Sequence, residues 1–161
     1  MPATIAGTPT HADDERNVSD LCLAARGDAS AQIRLSTEAR RLVLSGHADD
    51  IIGSVDGLNF ARMAAAQGVP TGLMLVDEHC AHLAKVYAEC GEHDCSDDWH
   101  GQAIAALELA AENMPADHAD ERANFMQGLN TLADGASPVI MEFATQWRAL
   151  WAPAFSADAY V

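Results

Sequence analysis

The sequence predicts an all-α protein of about seven helices in antiparallel pairs, arranged as an α-solenoid or as a compact helical bundle. Hydrophobic residues make up 49% of the 161 residues and aromatic residues only 6%. Alanine, the strongest helix former, is abundant. Apolar positions recur at steps of three and four between short glycine turns, and we find no sustained alternation of the kind that predicts strands.

The length suits a single domain of ordinary size. We expect one helical domain over residues 19–152. A mobile, polar, proline-bearing tail over residues 1–18 should precede it, and a loose tail over residues 153–161 should follow it.

The first three predicted helices are separated by glycines. The first covers residues 21–26, with Ser19 as its N-cap and Gly27 at its end. The second covers about residues 29–45. The third, about residues 49–67, begins with two aspartates, whose charge is favourable at a helix N-terminus. Its glycine- and alanine-rich face should let a neighbouring helix approach closely.

The fourth predicted helix, residues 70–90, has the most regular apolar pattern in the chain. Its stripe consists of Leu73, Val76, Cys80, Leu83, Tyr87 and Cys90. Pro70 suits the first turn, where a missing N–H costs nothing, and Gly91 suits the position after the last turn. A stripe this regular should be buried against other helices.

The last three helices are predicted from caps and apolar faces. Ser96 is the expected N-cap of the fifth helix, which continues to about residue 113. The sixth covers about residues 117–133, and we expect it to bury Phe125, Met126, Leu129 and Leu132. The seventh begins at Ser137 and Pro138. Its apolar face carries Ile140, Phe143, Trp147 and Trp151.

The net charge is −15, with 24 acidic residues against 9 basic ones. We therefore expect neither a nucleic acid nor an anionic membrane surface as a partner, since both bind to basic faces. The charge favours attraction of a basic protein or peptide, with an affinity that falls as salt rises.

The chain lacks both a run of about 20 apolar residues and a basic, apolar leader at its start. We therefore predict a cytoplasmic protein. In that compartment the cysteines should be reduced, and Cys22 and Cys80 should be small core residues.

Three segments align around helix-to-helix turns and indicate an internal repeat. They are residues 23–28, 64–69 and 110–115. Gly27 and Gly68 are 41 positions apart, and the third turn follows 46 positions later. Two-helix repeats have periods of roughly 34 to 47 residues.

The first of these segments continues as Gly27-Asp-Ala-Ser-Ala-Gln-Ile-Arg-Leu35 and resembles the start of the second helix in Sel-one-like repeats, which are related to the tetratricopeptide repeat. Ala64, Ala65 and Gly68 match the end of that family's first helix, whereas Met114 replaces the third glycine. The resemblance covers about residues 22–113. It implies stacked helix pairs and an adaptor that binds other proteins on a concave face, without catalytic residues.

Our first functional hypothesis is therefore a non-catalytic protein-interaction module without a cofactor. Its groove would be lined by the first helix of each pair, near Asn59, Arg62, Trp99 and Gln102. A homo-oligomer built through the tryptophan-bearing last helix is a further possibility.

The alternative hypothesis is a zinc-binding helical protein, either an enzyme or a sensor. Its ligands would come from His79, His82, Cys90, His93 and Cys95. His82 and Cys90 are separated by roughly 12 Å along the helix, so the loop would have to turn back. A disulfide between Cys90 and Cys95 is a third reading of the same segment. Acid–base chemistry by Asp77, Glu78 and His79 is disfavoured because adjacent helical residues point apart.

Overall fold

The computed structural model describes residues 11–155, with side chains from Glu15 onward, and within this range it contains seven α-helices, one 3₁₀ turn and no strands. The predicted all-α fold is confirmed. The helices are α1 (His11–Ala25), α2 (Ala29–Leu44), α3 (Asp50–Ala65), α4 (Pro70–Glu89), α5 (His93–Asn113), α6 (Ala119–Asp134) and α7 (Pro138–Trp151), followed by the 3₁₀ turn (Ala152–Phe155). No helix in the described range is long and apolar enough to cross a bilayer.

Helices α1 to α5 are connected by short turns that each contain a glycine in the left-handed region. Gly27, Gly46, Gly68 and Gly91 have φ values of 91°, 75°, 76° and 81°. Only glycine adopts this conformation without strain, so all four end a helix where the sequence predicted it. The Asp49 carboxylate caps α3 by accepting hydrogen bonds from the backbone N–H groups of Ile51 and Ile52.

Successive helices from α2 to α5 pack antiparallel, with small residues at the crossings. A Cβ atom at Gly72 of α4 would lie 2.5 Å from the backbone nitrogen of Ala65 in α3. A Cβ atom at Gly101 of α5 would lie 2.9 Å from the backbone nitrogen of Ala144 in α7. Backbones this close leave no room for larger side chains. The crossing at Gly72 confirms the predicted small face on α3.

The core lies around α4 and α5, and α5 packs against α4, α6 and α7. In α4, Leu73, Val76, Cys80 and Leu83 are buried as predicted. The stripe ends earlier than expected, because Tyr87 is half-buried and Cys90 is exposed.

Two predicted helix starts were wrong. Residues 11–18 belong to α1, whereas we had assigned them to a mobile tail; residues 1–10 lie outside the described range. The sequence has no glycine or proline between residues 10 and 26, so nothing ends the helix there. Similarly, α5 begins at His93 rather than after Ser96. The Ser96 hydroxyl donates to the Ala84 carbonyl of α4 instead, at 2.7 Å.

Helix α6 is packed more loosely than predicted. We expected four buried side chains, but none of its residues is buried. Leu129 and Leu132 are half-buried against Ile104 and Ile140, and Met126 is exposed. Among the described helices, α6 packs mainly against α5, so its apolar residues remain partly accessible.

Helix α1 buries a polar side chain and exposes apolar ones. Asp20 is buried and pairs with Arg34 of α2 at 2.7 Å. Val18 and Leu21 are exposed, as is Cys22, which we had placed in the core. The helix is thus attached by Ala24 and an ion pair rather than by an apolar stripe. At the other end of the chain, the predicted C-terminal tail forms the 3₁₀ turn up to Phe155, and residues 156–161 lie outside the described range.

Candidate functional site

Three of the four predicted groove residues come together between α3, α5 and α7. The Arg62 guanidinium of α3 donates to Gln102 Oε1 of α5 at 2.5 Å. Its Cζ atom lies 5.9 Å from the ring centroid of Trp99 in α5 and 5.9 Å from that of Trp147 in α7. These distances are within the range of cation–π attraction. Asn59 is exposed on α3, one turn before Arg62.

Asp98 of α5 completes this group of side chains. Its Oδ1 accepts a hydrogen bond from Trp147 Nε1 at 2.7 Å, and its Oδ2 lies 3.4 Å from Gln102 Nε2. We call Arg62, Asp98, Trp99, Gln102 and Trp147 the Arg62 cluster. Gln102 is 2% exposed, so the cluster extends from the core to the surface.

Asp98 and Trp147 were not predicted from the sequence as members of this cluster. Trp147 lies on the apolar face of α7, 49 residues after Asp98, and its spacing indicated only a core position. A tryptophan that is half-buried usually needs an acceptor for its N–H group, and an aspartate on a neighbouring helix can provide one. That requirement was the available signal, but the sequence does not show which aspartate meets it.

Two concavities adjoin the Arg62 cluster and share Leu150, which is 66% exposed. The first, which we call the Asp98 depression, is shallow and has a volume of about 290 Å³. It is lined by Asp98, Phe143, Gln146, Trp147 and Leu150. The second, the Arg62 cavity, has a volume of about 280 Å³. It is lined by Arg62, Ala65, Ala66, Leu73, Val76, Leu150, Trp151, Ala154 and Phe155.

Arg62 lacks a carboxylate partner among the residues whose side chains are described. Its Nε atom is buried and has no hydrogen-bond acceptor, and its one strong bond goes to a neutral amide. Three other arginines do have carboxylate partners: Arg34 pairs with Asp20, Arg40 with Glu78, and Arg148 with Glu108 and Glu112. The Arg62 cluster therefore contains a half-buried cation whose charge is balanced only indirectly, through Gln102.

The five predicted metal ligands do not come together. His79 is 1% exposed, and its Nε2 lies 3.0 Å from the Ser36 hydroxyl of α2. His82 pairs with Asp50 of α3 at 2.9 Å. Cys90, His93 and Cys95 are exposed around the α4–α5 turn. Within residues 11–155, no group of three or more His, Cys, Asp or Glu residues is arranged to hold a metal ion.

Burial shifts the pKa values of Asp77 and His79, two residues apart in α4. It lowers the pKa of His79 to about 4, so the imidazole is neutral near pH 7. It raises the pKa of Asp77 to about 7, and repulsion from Glu78 adds to the shift. Asp77 Oδ1 is buried without a hydrogen-bond partner. His79 bonds to Ser36, so Asp77 and His79 do not form an acid–base pair.

Comparison with protein-family models, curated proteins and solved structures found no match to this chain. The similarity to Sel-one-like repeats therefore depends on residues 22–113 of the sequence alone, and it stays a prediction.

Proposed function

We propose that this chain is a non-catalytic protein-interaction module that binds a basic protein or peptide. The observation that carries the proposal is the Asp98 depression, which places a carboxylate beside the rings of Trp147 and Phe143. A lysine or arginine side chain of a partner can pair with a carboxylate and lie against an aromatic face at the same time. The depression is also shallow and open, as a surface that receives side chains must be.

Asp98 retains the capacity to accept further hydrogen bonds. An ionised carboxylate has about four acceptor positions, and the Trp147 indole and the Gln102 amide use two of them. The indole bond also fixes the orientation of the carboxylate relative to the ring. A cationic side chain would therefore meet a site that is already ordered, which reduces the entropy lost on binding.

The charge of the whole chain supports the same class of partner. With 24 acidic and 9 basic residues, the protein attracts basic molecules over distances of about a Debye length, roughly 8 Å at physiological salt. Arg62 is not among the residues that line the Asp98 depression; it lines the neighbouring cavity instead. The exposed Leu150 at the edge supplies apolar contact area.

The proposal can be tested with synthetic peptides that alternate arginine or lysine with leucine, and with acidic peptides of the same length. NMR should show the Trp147 indole N–H signal moving when a basic peptide is added, and not when an acidic peptide is added. Affinity for the basic peptide should fall as salt is raised from 50 to 300 mM, because the Debye length shortens by roughly half over that range.

Asp98→Asn is the diagnostic variant because the amide oxygen still accepts from Trp147 while the charge is lost. We expect at least about a tenfold loss of affinity, the usual effect of a hydrogen bond to a charged group. Asp120→Asn, which removes the same charge from the exposed first turn of α6, is the matched control and should change affinity little. Equal losses in both variants, or binding without movement of the Trp147 signal, would place the site elsewhere.

A further inference from the structure

We propose that the Arg62 cavity binds a small apolar carboxylate, meaning a single acid group on an alkyl chain or a fused aromatic ring. This inference goes beyond the proposed function, since it concerns the second concavity and a small molecule rather than a protein. It depends on three observations: the volume of the cavity, its apolar lining, and the unpaired cation in its wall.

The volume indicates the size of the ligand. Apolar cavities of roughly 150 Å³ bind benzene. At about 280 Å³, the Arg62 cavity offers close to twice that space. It would accommodate a chain of about ten carbons or a bicyclic ring system.

The lining indicates that most of the ligand is apolar. Apart from Arg62, the walls are formed by alanines and larger apolar residues. Leu73 and Val76 of α4 form one side, and Trp151 and Phe155 at the end of the chain's last helical segment form the other. Trp151 is supported by Trp147, whose ring centroid lies 5.3 Å away. The inner part of the wall is thus built from packed side chains, and the exposed Leu150 lies at its edge.

The charge indicates an acid group. Among the described side chains, no carboxylate pairs with Arg62, and its Nε atom has no acceptor. Acidic residues outnumber basic ones by 24 to 9, so carboxylates are plentiful elsewhere on the chain. A half-buried guanidinium without a direct carboxylate partner is unfavourable, and a ligand carboxylate would relieve this by accepting hydrogen bonds from its terminal N–H groups. Trp99 and Trp147 hold the guanidinium in place for that contact.

Three probes with one chain length separate these contributions. Decanoate, 1-decanol and decyltrimethylammonium share their alkyl chain and differ in head-group charge. By calorimetry and tryptophan fluorescence below micellar concentrations, decanoate should bind one to one, at least about tenfold more tightly than decanol. The ammonium compound should bind more weakly than decanol. Equal binding of decanoate and decanol, or no binding of decanoate, would overturn the proposal.

Three variants locate the site. Arg62→Gln should weaken decanoate binding about tenfold or more and leave decanol binding nearly unchanged. Ala66→Phe places a ring at the rim of the cavity from an exposed position and should weaken both. Arg41→Gln, on the exposed side of α2, is the charge-matched control and should bind both probes like the parent.

The same set of variants also tests whether Arg62→Gln is folded and whether the two proposed sites are independent of each other. Circular dichroism melting shows whether Arg62→Gln is folded. If Arg62→Gln is not folded, Ala66→Phe tests the proposal instead, because it keeps Arg62. Unchanged decanoate binding in Ala66→Phe would contradict the proposal. Asp98→Asn should reduce binding of basic peptides without weakening decanoate binding, since it removes a negative charge from the Arg62 cluster. Failure of one activity therefore does not imply failure of the other.

Discussion

Replacing Gly57 with alanine measures how tightly the buried His79 is held. Gly57 lies in the middle of α3, directly under the imidazole ring. An added Cβ would lie 2.5 Å from His79 Nε2 and 3.0 Å from the Cβ of Ala39. The ring cannot move aside freely, because it is 1% exposed and Nε2 is hydrogen-bonded to Ser36.

The expected magnitude follows from two opposing effects. Overpacking a core by one methyl group costs about 1–3 kcal/mol, and displacing the ring from Ser36 loses a hydrogen bond worth about 1 kcal/mol. Alanine is a better helix former than glycine by about 1 kcal/mol, which offsets part of this cost. We therefore expect Gly57→Ala to lower the free energy of unfolding by about 1–3 kcal/mol.

Urea denaturation followed by circular dichroism would measure the change, and Gly128→Ala is the matched control. Gly128 is also inside a helix, but a Cβ there would meet only Leu107 Cδ1, at 3.6 Å. It should therefore stabilise the protein by about 0.5–1 kcal/mol. In a His79→Ala background the contact with the imidazole is absent and only the 3.0 Å contact with Ala39 remains, so Gly57→Ala should be clearly less destabilising there. If Gly57→Ala in the parent protein is as stabilising as Gly128→Ala, the close packing of His79 over α3 is refuted.

Three further predictions concern stability and reactivity. Because the pKa of Asp77 is raised to about 7, the folded protein holds this proton more tightly than the unfolded chain, and stability falls as pH rises from about 4 to 7. Asp77→Asn should remove that fall. In urea titrations its free energy of unfolding should exceed that of the parent by at most about 4 kcal/mol at pH 8 and equal it near pH 3. In native protein, a thiol reagent should modify the exposed Cys22, Cys90 and Cys95, whereas Cys80 should react only after unfolding; rapid reaction of all four thiols would contradict its burial. Asp49→Ala should lower the free energy of unfolding by about 1 kcal/mol through loss of the α3 cap, and an unchanged urea midpoint would show that the cap contributes nothing.

Periodicity and glycines were sufficient to predict most of the helices. The stripe of α4 and the four glycine turns are local signals, and they placed α2, α3 and α4 within about two residues of their observed ends. The start of α5 was misplaced because the Ser96 hydroxyl can either accept from a backbone N–H of its own helix or donate to the Ala84 carbonyl. Only the packing of α4 against α5 decides between them. Burial on α6 was overpredicted for a related reason, since an apolar face does not reveal whether a second helix covers it.

The candidate site was predictable only in part. Arg62, Trp99 and Gln102 were placed together because they belong to helices expected to line one groove. The contribution of α7 was not predictable, since Trp147 and Asp98 meet only after distant helices have packed. The histidine pair in α4 suggested a metal site, but His79 bonds to Ser36, 43 residues away, and His82 to Asp50, 32 residues away. Such long-range partners leave no trace in local spacing.

The four left-handed glycines also have a consequence for the order of assembly. They make α1 to α5 a series of neighbouring hairpins, each stabilised by residues close in sequence, and local topologies of this kind form within microseconds to milliseconds. During synthesis these hairpins can pair as they leave the ribosome. The indole of Trp147 is synthesised after all five of these helices, so a fluorescence signal from its bond to Asp98 would report that α7 has packed against α5.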